Sequence, residues 1–404
     1  MEEKVALETR AVHAADRKRG PGSTPVTTPI YTAASYIYDD IAELDQVFAN
    51  EKPGESYARY SNPTNRALEE LLTDLESGAG ALATSSGMSA VQTALHIALA
   101  DRHRSVVASQ SLYGASINML MNIFEPQGVA VRFVDFCDLD ALQDAIEKNK
   151  PGVLLMETIS NPILRVAQLD RIAEMSRGAN AALVVDSTFT TPLMCRPLEW
   201  GANLVVHSLT KYLAGHGDVL GGVVISDREH LDALRAYGRL AGPVLGPFES
   251  YLAMRGVKTF PLRMERQCSN ACRVAQWLAG RPEVERVFYL ADPRHPDSAA
   301  IRRLFKPSLY GAIVSFELLG ADQDHVFRFM NALRMIVPAT SLGDVHSMIL
   351  YPVMASHRDI APKQRERMGI RPNLLRLSVG IEAVEDILGD LAHALQVSFS
   401  GGAV

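Results

Sequence analysis

Six short apolar runs frame this chain: SVVAS from Ser105, VAVRFVD from Val129, GVLLME from Gly152, AALVVD from Ala181, NLVVHS from Asn203 and GGVVI from Gly221. Each has strand length, and a stretch that reads as helix separates it from the next. Runs that are apolar on both faces belong to a largely parallel sheet covered by helices on each side. Ligands of such sheets bind beyond the carboxyl ends of the strands. Three of the runs end there in polar groups, Glu157, Asp186 and His207-Ser208.

Upstream, the pattern predicts helices over Ala67 to Glu76 and Ser86 to Ala100. Residues 1–62, rich in Pro, Thr, Tyr and Gly without a sustained period, read as an extended arm that packs on something else. Downstream, a helical reading runs from Pro247 to Gly280, where Arg281-Pro282 breaks it. Strands at GAIVSFELL and LLRLSVGI and a helix from Ala383 to about Gln396 follow. The expected division is an arm over 1–62, an α/β domain over 63–258 and a smaller α+β domain over 259–404. The only low-complexity stretch is the SGGAV tail, and there is no internal repeat.

Composition narrows the function classes. With 404 residues the chain buries a core without staples, and a net charge of -6 with 21% charged residues excludes a basic nucleic-acid footprint and an acidic disordered tail. Cys137, Cys195, Cys268 and Cys272 lack CxxC spacing and read as reduced, mostly buried thiols of a cytoplasmic protein. MEEKVALETR has no secretory n- and h-regions, and no run approaches the ~18 apolar residues of a membrane span. Neither export nor a membrane partner is expected.

Several common signatures are missing. There is no GxGxxG after a strand, no GxxxxGK[ST], no HExxH and no GxSxG. Gly256-Val257-Lys258-Thr259 resembles the end of a phosphate loop, but the earlier glycine and the preceding strand are absent. The 11 histidines show no metal-ligand spacing, so no metal is expected.

What remains suits one cofactor. In HSLTKYLAGHGDVLGG a strand delivers Ser208, Thr210 and Lys211 into a glycine-bounded turn. Hydroxyls beside a lysine suit a phosphate lying next to an aldehyde that the amine captures as a Schiff base. Asp186, 25 positions before Lys211, ends a buried strand, where a carboxylate can keep a pyridine nitrogen protonated. That cation is the electron sink of pyridoxal 5'-phosphate chemistry. TSSGMSA runs from a small-residue turn into a helix whose N–H groups at Gly87 and Met88 make an anion site. Singly, Asp186 reads equally as a helix cap, Lys211 as a surface charge and SSG as an ordinary turn. Their order within one α/β frame favours the joint reading.

With these motifs, from YARYSNPT at Tyr57 to RLSVGIE at Glu382, the chain resembles the Cys/Met-metabolism family of pyridoxal-phosphate enzymes. The resemblance implies the fold-type-I, aspartate-aminotransferase-like architecture, with a mostly parallel seven-stranded sheet and a smaller C-terminal α+β domain. It implies Lys211 as the Schiff-base lysine, Asp186 at the pyridine nitrogen, and Gly87, Met88, Ser208 and Thr210 around the phosphate. Tyr113 in SLYGAS would stack on the ring and move protons, and Asn161 in ETISNP would face the ring oxygen. Tyr57 and Arg59 would reach the phosphate of a neighbouring subunit, within a homotetramer built as a dimer of catalytic dimers. Ser341 and Arg376 would bind the substrate, the guanidinium taking its carboxylate.

The implied reaction is γ-elimination on a sulfur-containing amino acid, of the methionine γ-lyase or cystathionine γ-lyase kind, giving a thiol, 2-oxobutanoate and ammonia. The alternative is γ-replacement, as in cystathionine γ-synthase or the O-acylhomoserine sulfhydrylases. In many cystathionine-processing members a glutamate stands where this chain has His346, and in some an acidic residue stands at Ser56. Their absence weakens recognition of a distal ammonium. Ala115 replaces a cysteine frequent in methionine γ-lyases, and the tryptophan of β-lyases is absent from the Ser341-Leu342-Gly343 region. His346 reads either as a group acting on the leaving group or as part of the pocket wall.

Overall fold

A computed structural model describes residues 5–18, 22–49, 51–358 and 360–400 of the chain; the glycines and Val404 of the tail lie outside them. Seven strands, β1 (Gly80–Thr84), β2 (Ser105–Ser109), β3 (Ala130–Val134), β4 (Val153–Glu157), β5 (Ala182–Asp186), β6 (Leu204–Ser208) and β7 (Gly222–Ser226), form one sheet in the order β1-β7-β6-β5-β4-β2-β3. Strands β3, β2, β4, β5 and β6 are mutually parallel, and β7 runs antiparallel between β6 and β1. Successive side chains of a strand point to opposite faces, so a strand covered on both sides must be apolar throughout. Val107, Leu154, Leu183 and Val205 accordingly enter one core, while Val106, Leu155, Val184 and Val206 enter another on the opposite face. The edge strand β3 exposes Ala130 and Arg132 and buries only Val134.

Strand β1, which the apolar pattern missed, is the other edge. Its sequence GALAT is small and half-buried, so it carries little of the signal that marks the central strands. Because β7 is antiparallel, it begins where β6 ends, with Ser208 opposite Gly222. The turn between them therefore holds Thr210 and Lys211 at the carboxyl edge of the sheet.

The smaller sheet has the order β10-β11-β12-β9-β8, with β8 (Val284–Phe288), β9 (Ile313–Leu318), β10 (Val337–Pro338), β11 (Met348–Leu350) and β12 (Leu374–Ser378). All its pairings are antiparallel except β10 with β11. β10 and β11, at two and three residues, are too short to show a period. Helices Gln323–Ala332 and Val384–Ser400 add Val326, Phe329, Ile387 and Leu391 to the core of this sheet.

The helical stretch expected as one piece from Pro247 to Gly280 is two helices, Pro247–Val257 and Phe260–Ala279. Pro261 explains the break: it lacks an N–H and is tolerated in a first turn but not in a helix interior. The second helix spans both cores, giving Phe260 and Met264 to the large one and Val274 and Leu278 to the small one. Its buried Arg263 donates to the carbonyl oxygens of Tyr212 at 2.8 Å, Leu213 at 3.1 Å and Gly256 at 2.8 Å, gripping the residues that follow Lys211.

The N-terminal segment contains helices Leu7–His13 and Ile41–Phe48 with irregular chain between them. It builds no core of its own: Val26, Ile37 and Ile41 are 72%, 95% and 77% exposed. All four cysteines are free; Cys195 and Cys268 are buried, Cys137 and Cys272 half-buried. Among the described residues no helix is long and apolar enough to cross a membrane.

Candidate active site

A cavity of about 430 Å³ opens over the carboxyl ends of β4, β5 and β6, roofed by β11, β12 and the loops of the small sheet. At one end stands the helix Gly87–Leu99. Ser86 caps it by accepting the Ser89 N–H at 3.1 Å, which leaves the first two N–H groups, of Gly87 and Met88, without intrahelical acceptors. Ser208 faces them so closely that a Cβ on Gly87 would lie 2.9 Å from its Oγ. The Thr210 hydroxyl sits beside it, held by the Gly221 N–H at 3.1 Å. Two N–H groups, a helix dipole and two hydroxyls make a seat for a phosphate.

Gly222 lets β7 close this seat. A Cβ there would lie 2.3 Å from the Ser86 carbonyl oxygen and 2.8 Å from Thr84 Oγ1. Gly222→Ala is expected to cost about 1–3 kcal/mol of stability, the usual penalty of overpacking. Chemical denaturation of the cofactor-free protein measures it.

In the middle of the cavity floor, Asp186 Oδ1 accepts the Thr188 N–H at 2.9 Å, and Thr188 Oγ1 accepts the Ser208 N–H at 2.9 Å. Burial raises the carboxyl of Asp186 above its ordinary value, against the hydrogen bonds of Thr188 that lower it. A cation placed over it, such as a protonated pyridine, would restore the charged form. Lys211 Nζ donates to Ser341 Oγ at 2.9 Å. Burial, and secondarily the charge of Arg376, lower this amine from 10.5 to about 8.

Arg376 comes from β12, opposite Ser315 of β9 and Leu350 of β11. Its Nη1 donates to Asn161 Oδ1 at 3.0 Å and its Nη2 to the Ser341 carbonyl at 3.2 Å. Nε is buried without a partner, and among the described residues no carboxylate pairs with the guanidinium, whose pKa burial pulls down to about 10. A buried, unpaired cation is costly unless an anion joins it. Tyr113 also lines the cavity, its backbone N–H held at 2.6 Å by Glu157 Oε1.

The structure thus brings Gly87, Met88, Tyr113, Asn161, Asp186, Ser208, Thr210, Lys211 and Arg376 onto one cavity, with Ser341 touching Lys211. It does not bring Tyr57, Arg59 or His346 there. Arg59 stacks over Tyr57 and Tyr60, at 5.5 and 4.9 Å from the ring centroids, and donates to the Arg239 carbonyl. The largely exposed His346 ring hydrogen-bonds Asp344 at 2.9 Å. Among the polar residues of the cavity that the motifs do not single out are Thr188, and Glu157, which ends β4 as Asp186 ends β5. Their signals were the Asp-x-Thr turn and the position at a strand end. Asp227, Glu229 and His230 also cluster, but as a network tied to Arg102 and Asn203 near the start of helix Leu231–Ala241.

The donors of the cavity fit pyridoxal phosphate: an anion seat at one end, a carboxylate under the ring position, a lysine of lowered pKa and an unpaired guanidinium. A family model described as Cys/Met metabolism PLP-dependent enzyme matches residues 8–396. The chain belongs to this family. It is a pyridoxal-phosphate-dependent enzyme of sulfur amino-acid metabolism. An L-methionine gamma-lyase of Fusobacterium nucleatum subsp. polymorphum is 39% identical over 97% of this chain and 98% of the relative. A cystathionine beta-lyase of Coxiella burnetii is 38% identical over 97% and 98%. The solved structure of cystathionine gamma synthase from Xanthomonas oryzae pv. oryzae in complex with cystathionine superposes with a TM-score of 0.91, at 35% identity, covering 98% of this chain and all of that one. These similarities span elimination and replacement, so they leave the choice between them to the site.

Lys211 makes one property of the family measurable here. Only the neutral amine attacks an aldehyde. Below its pKa of about 8 the neutral fraction falls tenfold per pH unit, and above it the fraction levels off. Uptake of pyridoxal phosphate by the apoprotein, followed by absorbance, is expected to rise to about pH 8 and then plateau. An ordinary lysine would give a rate still climbing at pH 10.

Proposed function

We propose that the enzyme catalyses γ-elimination on methionine or a related thioether amino acid, releasing a thiol, 2-oxobutanoate and ammonia. The observation that carries this is the cavity lining: Ile159, Phe189, Leu220, Leu342 and Leu350 are apolar, and among the described residues its only carboxyl groups are Asp186 and Glu157, which end strands of the floor, with none left over for a distal ammonium. A charged distal end would lose its hydration there without a partner. The methionine gamma-lyase relative supports the same reading.

When bound, pyridoxal phosphate supplies the electron sink that makes protons at Cα and Cβ acidic. The chain's own residues do the rest. Arg376 takes the substrate carboxylate bidentately, and Asn161 and the Ser341 carbonyl fix its plane, which orients the Cα bonds. Lys211, neutral at slightly alkaline pH and steadied by Ser341, accepts the Cα proton. Asp186 would hold the ring nitrogen, whose positive charge would favour the carboxylate form that burial disfavours. Tyr113, which lines the cavity, would cover the ring and pass a proton to the departing sulfur, and the apolar lining excludes water while the thiol leaves.

The cystathionine gamma synthase likeness favours a second reading, γ-replacement. Product analysis with methionine, cystathionine and O-acetyl- and O-succinyl-homoserine, each with and without sulfide or cysteine, separates the two. Release of 2-oxobutanoate and ammonia from methionine alone supports elimination; turnover only when an acyl ester and a thiol are both present overturns it.

The active unit is a homotetramer of two catalytic dimers. Tyr57 and Arg59 lie outside their own chain's cavity, on an arm that exposes Val26, Ile37 and Ile41, which suits a contribution to a neighbour's phosphate. Mixing Lys211→Ala subunits with Arg59→Ala subunits is expected to restore activity that neither has alone. A mixture as inactive as its components would sink the shared site.

A further inference from the structure

Glu157 is half-buried at the floor of the cavity, and the reaction above does not use it. It ends β4 in register with Asp186 at the end of β5, and both residues line the cavity. Its Oε1 accepts the Tyr113 N–H at 2.6 Å, and Tyr113 directly precedes the helix Gly114–Met119. No side chain caps that helix, so Glu157 is what ties its entry turn to the sheet. Tyr113 is 41% exposed and gains little from packing of its own. The far side of the turn is closed as well: a Cβ on Gly114 would lie 2.1 Å from the Ser356 carbonyl oxygen. The turn is therefore held between Glu157 below and the Ser356 loop above.

We propose that Glu157 is a positioning residue for Tyr113, its carboxyl group holding the backbone of the turn so that the phenol ring lies flat over the cofactor. It does so as the neutral acid. Two half-buried carboxyl groups ending adjacent strands cannot both ionise cheaply, and Asp186 is the one that a protonated pyridine would meet. Burial, with the charge of Asp186 second, raises Glu157 well above the ordinary carboxylate range. The proton on Glu157 keeps a second negative charge away from the ring nitrogen while its carbonyl oxygen still accepts from Tyr113. Tyr113 then has a fixed height over the sheet, and its hydroxyl a fixed reach toward the leaving group.

The inference rests on Tyr113 being the ring that covers the cofactor, and it is independent of which thioether the enzyme cleaves. Glu157→Gln keeps an acceptor and stays uncharged, and is expected to leave kcat within about threefold of the parent across the pH range. Glu157→Ala removes the acceptor and is expected to lower kcat about 10- to 100-fold with KM little changed, since misplacement by about 1 Å can cost 10²-fold. The visible circular dichroism of the bound cofactor, which reports ring environment whether or not the enzyme turns over, should be parental in Glu157→Gln and shifted in Glu157→Ala. In a Tyr113→Ala background the loss caused by Glu157→Ala should vanish, because both changes act through one ring. A glutamine variant as impaired as the alanine one would overturn the proposal, since a charged carboxylate would then be what matters. Full additivity with Tyr113→Ala would overturn it too, as would a dichroism band unmoved by Tyr113→Ala, which removes its premise.

Discussion

Lys211→Ala is expected to reduce turnover by about 10²- to 10⁴-fold, the scale of losing a positioned proton-transfer group. Two functions disappear together, because the same amine both anchors the cofactor and takes the Cα proton. The two separate experimentally. Added ethylamine or methylamine can stand in as a diffusible base, so partial chemical rescue of the alanine variant is expected. The covalent anchor is not rescued, and borohydride should no longer fix pyridoxal phosphate to the chain. Parental turnover by Lys211→Ala would end the mechanism. Borohydride labelling at a different lysine would move it elsewhere.

Arg376→Met carries the second large effect. The guanidinium is fully buried, its Nε has no partner, and its hydrogen bonds from Nη1 and Nη2 go to neutral oxygens. Losing one member of a buried, hydrogen-bonded charge pair costs about 2–5 kcal/mol, so kcat/KM should fall about 30- to 4,000-fold. Stability should move differently. In the free protein the cation has no anion, so replacing it with an apolar side chain of similar length is expected to leave the cofactor-free protein at least as stable. A substitution that destroys activity without destabilising the fold marks a group kept for its ligand. A fall of several kcal/mol in unfolding free energy would instead make Arg376 a structural residue.

These residues were not equally legible. Asp186, Ser208 and Lys211 could be read directly, because a strand apolar on both faces that ends in a polar group announces where the sheet edge lies. Gly87 and Met88 were visible for a similar reason, as a turn of small residues opening a helix. Arg376 was different: in LLRLSVGI it breaks an apolar strand, and only the family likeness suggested a role before the structure put it over the cavity. Glu157 carried the same strand-end signal as Asp186 but sits where no motif names a partner. Its bond to Tyr113 joins residues 44 apart in sequence, a pairing that no local pattern can reveal. The strands that escaped reading were edges or fragments, β1, β8, β10 and β11, whose exposure or brevity erases the apolar run. The break at Thr259 was written in Pro261, but the helical period on either side of it masked it.

The helix Phe260–Ala279 threads both cores and, through Arg263, grips the carbonyls just past Lys211. Ser341, in the loop between β10 and β11, meets both Lys211 and Arg376. Proton acceptor and carboxylate anchor are thus bolted to a common chassis, although one belongs to the large sheet and the other to the small. If the small sheet tilts as a substrate enters, the amine travels with the guanidinium. The span between the two ends of an amino acid is then preserved while the opening around them widens or narrows.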